Sequence, residues 1–315
     1  MLPQGLTRWT MGTHVDPPPA PRRLDIKIGY ICNNRCHFCA QGDKRSACAS
    51  RGADEVLREL GEARGRGFGG VVFTGGEATL HPDLLDFVRE AKRLKYQAIQ
   101  LQTNGRMLAY KDLCERLMEA GVNEFAPAIH GSRPAVHEAL TRAEGSWRQT
   151  AAGIRNLKSL GAYVLTNTVV TSGNYEDLPD LARLLVRLGV DMYQFAFVHV
   201  VGTAWKNRAW IVPRMSEAVP YVRRGLEVGL SAGIPAYTEA IPLCMMRGLE
   251  RCVAEDIIPD TAVVDSTRVE DFGHWRRTEG KAKGPPCGRC RLAGSCEGPW
   301  KEYPELYGWE EFRPA

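Results

Sequence analysis

The sequence predicts an α/β fold: a partial (β/α)6 TIM-like barrel followed by a small, cysteine-rich C-terminal domain. Three observations predict it. Six strand-like segments alternate with helix-like ones at roughly 30-residue spacing, which implies parallel strands joined by right-handed crossovers. The loops that carry Cys, Gly, Asn and His follow strands, as they do where a site is built at the C-terminal ends of barrel strands. The strand–helix rhythm stops after a helix near Ser216–Ser231, which argues for six strands rather than eight.

Residues 1–23, with Pro17-Pro18-Pro19 and Pro21, read as an extended lead-in. The core is expected over 24–233, with strands at Leu24–Ile31, Gly70–Thr74, Gln97–Thr103, Val122–Ile129, Tyr163–Thr171 and Met192–His199. The intervening segments place apolar residues at helical spacing, as in Val56, Leu57, Leu60 and Ala63, or Leu178, Leu181, Leu185 and Leu188. From residue 234 to 315 periodicity is weak, prolines and glycines are frequent, and five cysteines recur; such a segment needs a staple, and a metal centre supplies one.

Composition excludes several classes. A chain of 315 residues with 44% hydrophobic and 25% charged residues is an ordinary globular protein, long enough for one large α/β domain and an appendage. No apolar stretch is long enough to span a membrane, and the start lacks a signal-peptide core, so a cytoplasmic location and no membrane partner are expected. The net charge of +4 is small, and Lys and Arg alternate with Asp and Glu, which reads as solvated helix faces and not a nucleic-acid surface. The ten cysteines fall at metal-ligand spacings instead of forming a disulfide framework.

Cys32, Cys36 and Cys39, spaced C-x3-C-x2-C, follow the first strand segment directly. A helical stripe of buried thiols has the same spacing, but Asn33-Asn34 is loop chemistry. A zinc site would need a fourth ligand, for which His37 stands between the cysteines. An iron–sulfur cubane is usually held by four cysteines, so three would leave one iron open to a small molecule. Cys48 and Cys114 read as ordinary thiols, the latter on a buried helix face.

The second strand ends in Thr74-Gly75-Gly76-Glu77, which alone is only a tight turn with an acid near a helix start. Taken with the cysteine loop and Phe38 between its last two cysteines, it resembles the radical S-adenosylmethionine (radical SAM) superfamily over about residues 24–315. That resemblance implies a [4Fe–4S] cluster on Cys32, Cys36 and Cys39 whose open iron is chelated by S-adenosylmethionine, with Phe38 near the adenine and Gly75, Gly76 and Glu77 receiving the methionine amino group. It further implies reductive cleavage to a 5′-deoxyadenosyl radical, and hence an electron donor such as flavodoxin or ferredoxin. Arg142 is the candidate for the cofactor carboxylate or ribose, with Asn104 and Asn167 as further cofactor candidates. Many relatives place a ribose-binding Ser where this chain has Ala128, so that contact is absent or supplied elsewhere; His130 then faces the mouth as a substrate contact or proton donor, or serves only the fold.

The tail run Cys287-x2-Cys290-x5-Cys296, followed by Gly298, Trp300, Tyr303, Tyr307 and Gly308, resembles the truncated cluster domain called Twitch; the longer SPASM form would need a cysteine at Trp300. The resemblance implies one auxiliary [4Fe–4S] cluster, with Cys244 preferred over Cys252 as its fourth ligand. A four-cysteine zinc knot is the alternative. The expected activity is hydrogen abstraction from a carbon of a small-molecule or peptide substrate, in natural-product or cofactor biosynthesis. Peptide maturation is the second reading, for which the 23 residues before the barrel are too short to form a winged-helix leader-binding module. A non-catalytic zinc or electron-transfer protein is the third.

Overall fold

The computed structural model describes residues 21–315; most of the expected lead-in lies in residues 1–20, outside the described residues. The six expected strands form as β1 (Arg23–Gly29), β2 (Gly70–Gly75), β3 (Ala98–Thr103), β4 (Glu124–Pro127), β5 (Leu165–Val170) and β6 (Met192–Phe197). Between them run α1 (Ala53–Gly65), α2 (Leu84–Arg93), α3 (Lys111–Ala120), α4 (Pro134–Thr141), α5 (Ser146–Ser159) and α6 (Leu178–Leu188). After β6 come two single turns, α7 (Thr203–Lys206) and α8 (Arg208–Ile211), and then the long α9 (Met215–Ser231).

Strands β1 to β4 pair in sequence order, all parallel, as do β5 and β6. Isolated parallel bridges, Phe125 to Val164 and Ala128 to Asn167, join the two sets into one curved wall. The helices cover its outer face. On β1 that face is Leu24, Ile26 and Ile28, all fully buried; on α6 the matching stripe is Leu178, Leu181, Ala182 and Leu185. Burying one such aliphatic side chain contributes about 1.5–3 kcal/mol, so this layer dominates the stability of the core.

The opposite face lines the barrel lumen and is mixed: Val72, Ala126, Val169 and Ala196 share it with three polar pairs. Lys27 pairs with Asp25 at 2.7 Å, Gln100 donates to Glu124 at 2.8 Å, and Gln194 donates to Glu239 at 2.7 Å. Strand alternation therefore reads apolar toward the helices, with the polar strand residues turned toward the lumen.

Two strands of the tail extend the wall at its two edges. β7 (Ala236–Glu239) adds in parallel to β6, and β8 (Thr261–Val264) adds in parallel to β1, with the two-residue β9 (Arg268–Val269) beyond it. The expectation of six strands thus holds for the strand–helix repeats, while the sheet itself is wider. At four residues each, β7 and β8 are too short to show a period in sequence. The tail also carries α10 (Phe272–Trp275) and α11 (Glu302–Tyr307). It is stapled to the end of β7 by buried charges: Lys281 contacts Glu255 and Glu297, and Arg276 donates to Glu297 at 3.1 Å.

Asp265, just past β8, is a second tie. Its carboxylate accepts from Tyr30 at 2.5 Å, Lys44 at 2.6 Å and Gln41 at 3.1 Å, so the tail grips the segment that follows the cysteine loop. Burial acts to raise this carboxyl's pKa, but the hydrogen bonds from Lys44, Tyr30, Ser266 and Gln41 outweigh it and hold it down at about 2. A folded pKa below the unfolded value gives stability that is complete above about pH 4 and is lost as the pH falls toward the folded value. Asp265→Asn is therefore expected to cost about 1–2 kcal/mol at neutral pH, a figure already reduced for solvent screening. Chemical denaturation at stepped pH should show that difference shrinking below about pH 4; a pH-independent difference would show that the charge is not what holds the loop.

Candidate active site

The cysteine loop leaves β1 without regular structure, so its backbone groups must be satisfied from outside. Arg35 N–H donates to the Thr141 carbonyl at 2.8 Å and His37 N–H to the Leu140 carbonyl at 3.0 Å, fixing the loop to the end of α4. Arg106, in the loop after β3, bonds the Asn33 carbonyl and the Asn34 amide, and is itself held by Gln149 at 2.6 Å. Arg45 reaches the Asn34 carbonyl from the other side. The sequence reading missed both arginines; the one signal for Arg106 was its place in Asn104-Gly105-Arg106, directly after a strand.

These ties gather Cys32, Cys36 and Cys39. Burial pushes the Cys36 thiol well above its ordinary range, and the neighbouring Cys39 and Cys32 push it further. Burial likewise raises Cys32. His37 is not a fourth member: its ring packs edge-on against Trp210 at 4.7 Å between centroids, and Asn207 donates to its carbonyl at 2.8 Å. A set of three thiols with no fourth fits a cluster that keeps one iron open.

The turn after β2 fits against this loop so closely that only glycine is admitted. A Cβ on Gly76 would lie 2.4 Å from the carbonyl oxygens of Tyr30 and Ile31; one on Gly75, at φ +140°, would lie 2.1 Å from that of Gly29. Glu77 follows, 4% exposed. Its Oε1 accepts from Thr79 Oγ1 and Thr103 Oγ1, each at 2.6 Å, and from Thr79 N–H at 3.1 Å, while Oε2 accepts from Asn104 N–H at 2.6 Å. The carboxylate thus joins the ends of β2 and β3, and only Oε2 keeps room for another donor.

The other expected cofactor residues fare differently. Asn104 is committed to the cysteine loop, with its amide donating to Asn33 at 2.6 Å and lying 3.8 Å from the Cys32 sulfur. Asn167 bridges Ala128 on the lumen side, and its Oδ1 is buried without a partner among the described residues. Arg142 is exposed and takes a left-handed backbone (φ 53°) just after α4; burial first, and Arg142 second, lower the pKa of the nearby His37. Phe38 is buried and packs edge-on against His130 at 4.7 Å.

His130 is buried, and its Nδ1 accepts the Val169 N–H at 3.3 Å, which leaves the ring proton to Nε2. Burial, helped by His137, holds its pKa well below the usual range. The side chain is a neutral hydrogen-bond donor, not an imidazolium acid.

A second group of thiols stands in the tail. Cys244, Cys287, Cys290 and Cys296 line one cavity with Trp309 and Phe312; Cys252 is not among its walls. Burial, then the nearby Cys296, Cys290 and Cys287, push the Cys244 thiol up to about 11. Cys252 instead lies near Arg251 and Arg223. Four thiols around one cavity are a donor set that suits either a fully ligated cluster or a four-cysteine zinc knot.

With this geometry in hand, comparisons with known proteins agree on one family. A model of the Radical SAM superfamily matches residues 26–185. A probable GTP 3′,8-cyclase of Saccharolobus islandicus (strain M.14.25 / Kamchatka #1) is 29% identical over 180 residues, covering 57% of this chain and 58% of that protein. The PqqA peptide cyclase of Methylorubrum extorquens (strain PA1) is 28% identical over 213 residues, covering 66% of this chain and 54% of the cyclase. The match therefore spans less than two thirds of either relative's length. The crystal structure of Streptococcus suis SuiB bound to S-adenosylmethionine aligns with a TM-score of 0.64 at 17% identity, covering 94% of this chain and 76% of SuiB, which is a likeness of fold. No described helix is long and apolar enough to cross a membrane.

Glu77→Gln tests the joint between β2 and β3. It turns one acceptor oxygen into a donor facing the Thr103 hydroxyl or the Asn104 N–H, so a loss of about 1–3 kcal/mol is expected in thermal denaturation. Gly76→Ala should fail more completely, because backbone atoms are what the added methyl meets; retention of wild-type stability by either variant would refute the close fit described above.

Proposed function

The chain belongs to the radical SAM superfamily, and from that premise we propose that it cleaves S-adenosylmethionine reductively at Cys32, Cys36 and Cys39 and removes a carbon-bound hydrogen from a polar substrate in natural-product or cofactor biosynthesis. The observation that carries this reading is the three-thiol loop with His37 turned outward, a donor set one ligand short of a closed cluster. When bound, the cluster and its S-adenosylmethionine supply a one-electron cleavage that yields methionine and a 5′-deoxyadenosyl radical.

The chain's own residues hold and orient. The backbone of Gly75 and Gly76, with Oε2 of Glu77, would receive the methionine amino group beside the cysteine loop. Phe38 would flank the adenine, and His130, fixed as a neutral donor against Phe38, would offer Nε2–H to cofactor or substrate. Ala128 brings no hydroxyl to the ribose, and the unpartnered Oδ1 of Asn167, its direct bridge partner on the adjoining strand, would be the acceptor that replaces it. Arg142 is free to close on the cofactor carboxylate.

The lumen argues for the character of the substrate. Asp25, Lys27, Gln102, Asn167, Gln194 and Glu239 line it and are partly exposed, so it admits water unless something polar fills it. A radical intermediate must be kept from solvent. A substrate that hydrogen-bonds to this lining would displace that water and shield the reaction at once. Cys244, Cys287, Cys290 and Cys296 would hold a second, closed cluster suited to relaying electrons or assisting substrate oxidation.

A second reading is a peptide side chain as the reacting group. Its support is the similarity to the PqqA peptide cyclase and the fold shared with SuiB, whose structure is also known bound to the precursor peptide SuiA.

Anaerobic reconstitution should give about eight irons per chain, and dithionite with S-adenosylmethionine should give 5′-deoxyadenosine. Cys32→Ala, Cys36→Ala, Cys39→Ala together should keep about four irons and lose that product. Cys244→Ala should lower the iron of the second site while Cys252→Ala leaves it unchanged. An intact first cluster that forms no 5′-deoxyadenosine would end the catalytic reading.

A further inference from the structure

Few large apolar side chains are exposed among the described residues, and two of them are tryptophans on one short segment beside the cysteine loop. Trp205 is 41% and Trp210 is 50% exposed. The segment that carries them, Gly202–Trp210, lies between β6 and α9 and is clamped to the outer side of the loop. Thr203 N–H donates to the Cys39 carbonyl at 2.9 Å, and Asn207 donates to the His37 carbonyl at 2.8 Å. A Cβ on Gly202 would sit 2.4 Å from the Ala40 carbonyl oxygen, so the two backbones are as close as they can be. Trp210 covers the His37 ring, and Lys206 pairs with Asp43.

The charge around these indoles has one sign. Arg208 lies 4.2 Å over the Trp205 ring, while Arg35 and Arg142 are exposed nearby on the loop and at the end of α4. None of the three arginines has a carboxylate partner among the described residues, and the one carboxylate in the segment's grip, Asp43, is neutralised by Lys206. Packing does not require exposed indoles. Trp and Arg together are, however, the residues that carry binding energy at protein interfaces.

We propose that this Trp205–Arg208–Trp210 face is the docking surface for a small acidic flavoprotein that delivers the electron to the cluster of Cys32, Cys36 and Cys39. The proposal rests on the enzyme reading above, which requires one electron per cleavage. In the transfer the donor's reduced flavin is oxidised by one electron, the cluster is reduced by one, and no bond is made or broken. The face suits the task because His37 and Cys39, the loop residues it touches, are a cluster ligand and its near neighbour. The exposed guanidinium groups match an acidic partner, and steering of this kind weakens with salt.

The test compares a doubly substituted chain, Trp205→Ser with Arg208→Glu, with the unsubstituted protein, both reconstituted. Binding of oxidised flavodoxin, followed by titration calorimetry, should be saturable for the unsubstituted protein, should weaken as salt is raised, and should fall at least about tenfold in the variant. Formation of 5′-deoxyadenosine driven by reduced flavodoxin should fall in parallel, while the dithionite-driven rate and the iron content stay within about twofold, since a small reductant needs no docking surface. No binding of flavodoxin to the unsubstituted protein, or equal losses with both reductants, would overturn the proposal; the latter would make the face part of the substrate site. Failure of the unsubstituted protein to form the product with dithionite would instead overturn the enzyme reading, so the two failures are distinct.

Discussion

A single buried carboxylate holds the mouth of this barrel together. Glu77 accepts hydrogen bonds from the turn that follows it, from the last residue of β3 and from the residue after it, while its own N–H donates to the Ile31 carbonyl at the exit of β1. Three strand ends are thereby referred to one residue, two of them through its carboxylate and the third through its backbone N–H. A buried acceptor that lost these partners would cost about 1–3 kcal/mol or more, so the arrangement is tightly specified. The cysteine loop, which has no ladder of its own, inherits its position from this joint and from Arg106 and Asn104 just beyond it.

The tail repeats the strategy with charge instead of a turn. Lys281, fully buried, sits between Glu255 and Glu297, and Arg276 completes the group. Desolvation offsets most of the attraction in such a cluster, so its value lies in register more than in net stability, while loss of one partner would be costly. It fixes where the segment carrying Cys287, Cys290 and Cys296 meets Cys244, which arrives from the other direction after β7. Asp265 then joins the same tail to the helical turn that follows the first cysteine loop. The two thiol groups are therefore parts of one hydrogen-bonded framework, although more than 240 residues separate Cys39 from Cys287.

What could be read from sequence was local. The spacing of Cys32, Cys36 and Cys39, the Gly75-Gly76-Glu77 turn and the six strand–helix repeats each lie within a short window, and each reflects a steric or coordination rule that acts at that range. Cys244 as the companion of the tail cysteines was also legible, because a proline-bounded strand end leads into it. The grip of Asp265 on Tyr30 and Lys44 was not, since it pairs positions more than 200 apart. Nor was the hydrogen bond of Asn104 to Asn33 of the cysteine loop, which depends on how the two strand ends meet. His130 shows the same limit: its sequence position placed it at the mouth, but only the Val169 N–H on its Nδ1 determines that it is neutral there.

These constraints bear on how a reactive intermediate can be contained. A barrel lumen packed with branched aliphatic side chains would exclude water by itself, at the cost of leaving no room for a guest. Here the lumen face also carries Asp25, Lys27, Gln102, Gln194 and Glu239, hydrogen-bonded to one another or to neighbouring polar side chains, so a polar guest would find partners on it. The rigid elements are all at the rim: Glu77, the cysteine loop and the stapled tail. Containment must then come from occupancy. On the proposed reading, a guest that satisfies the polar lining would be held near the cysteine loop, and one that does not would leave water in its place. On that reading the choice of substrate would rest with the lumen residues, which differ in type from the apolar layer that sets the fold.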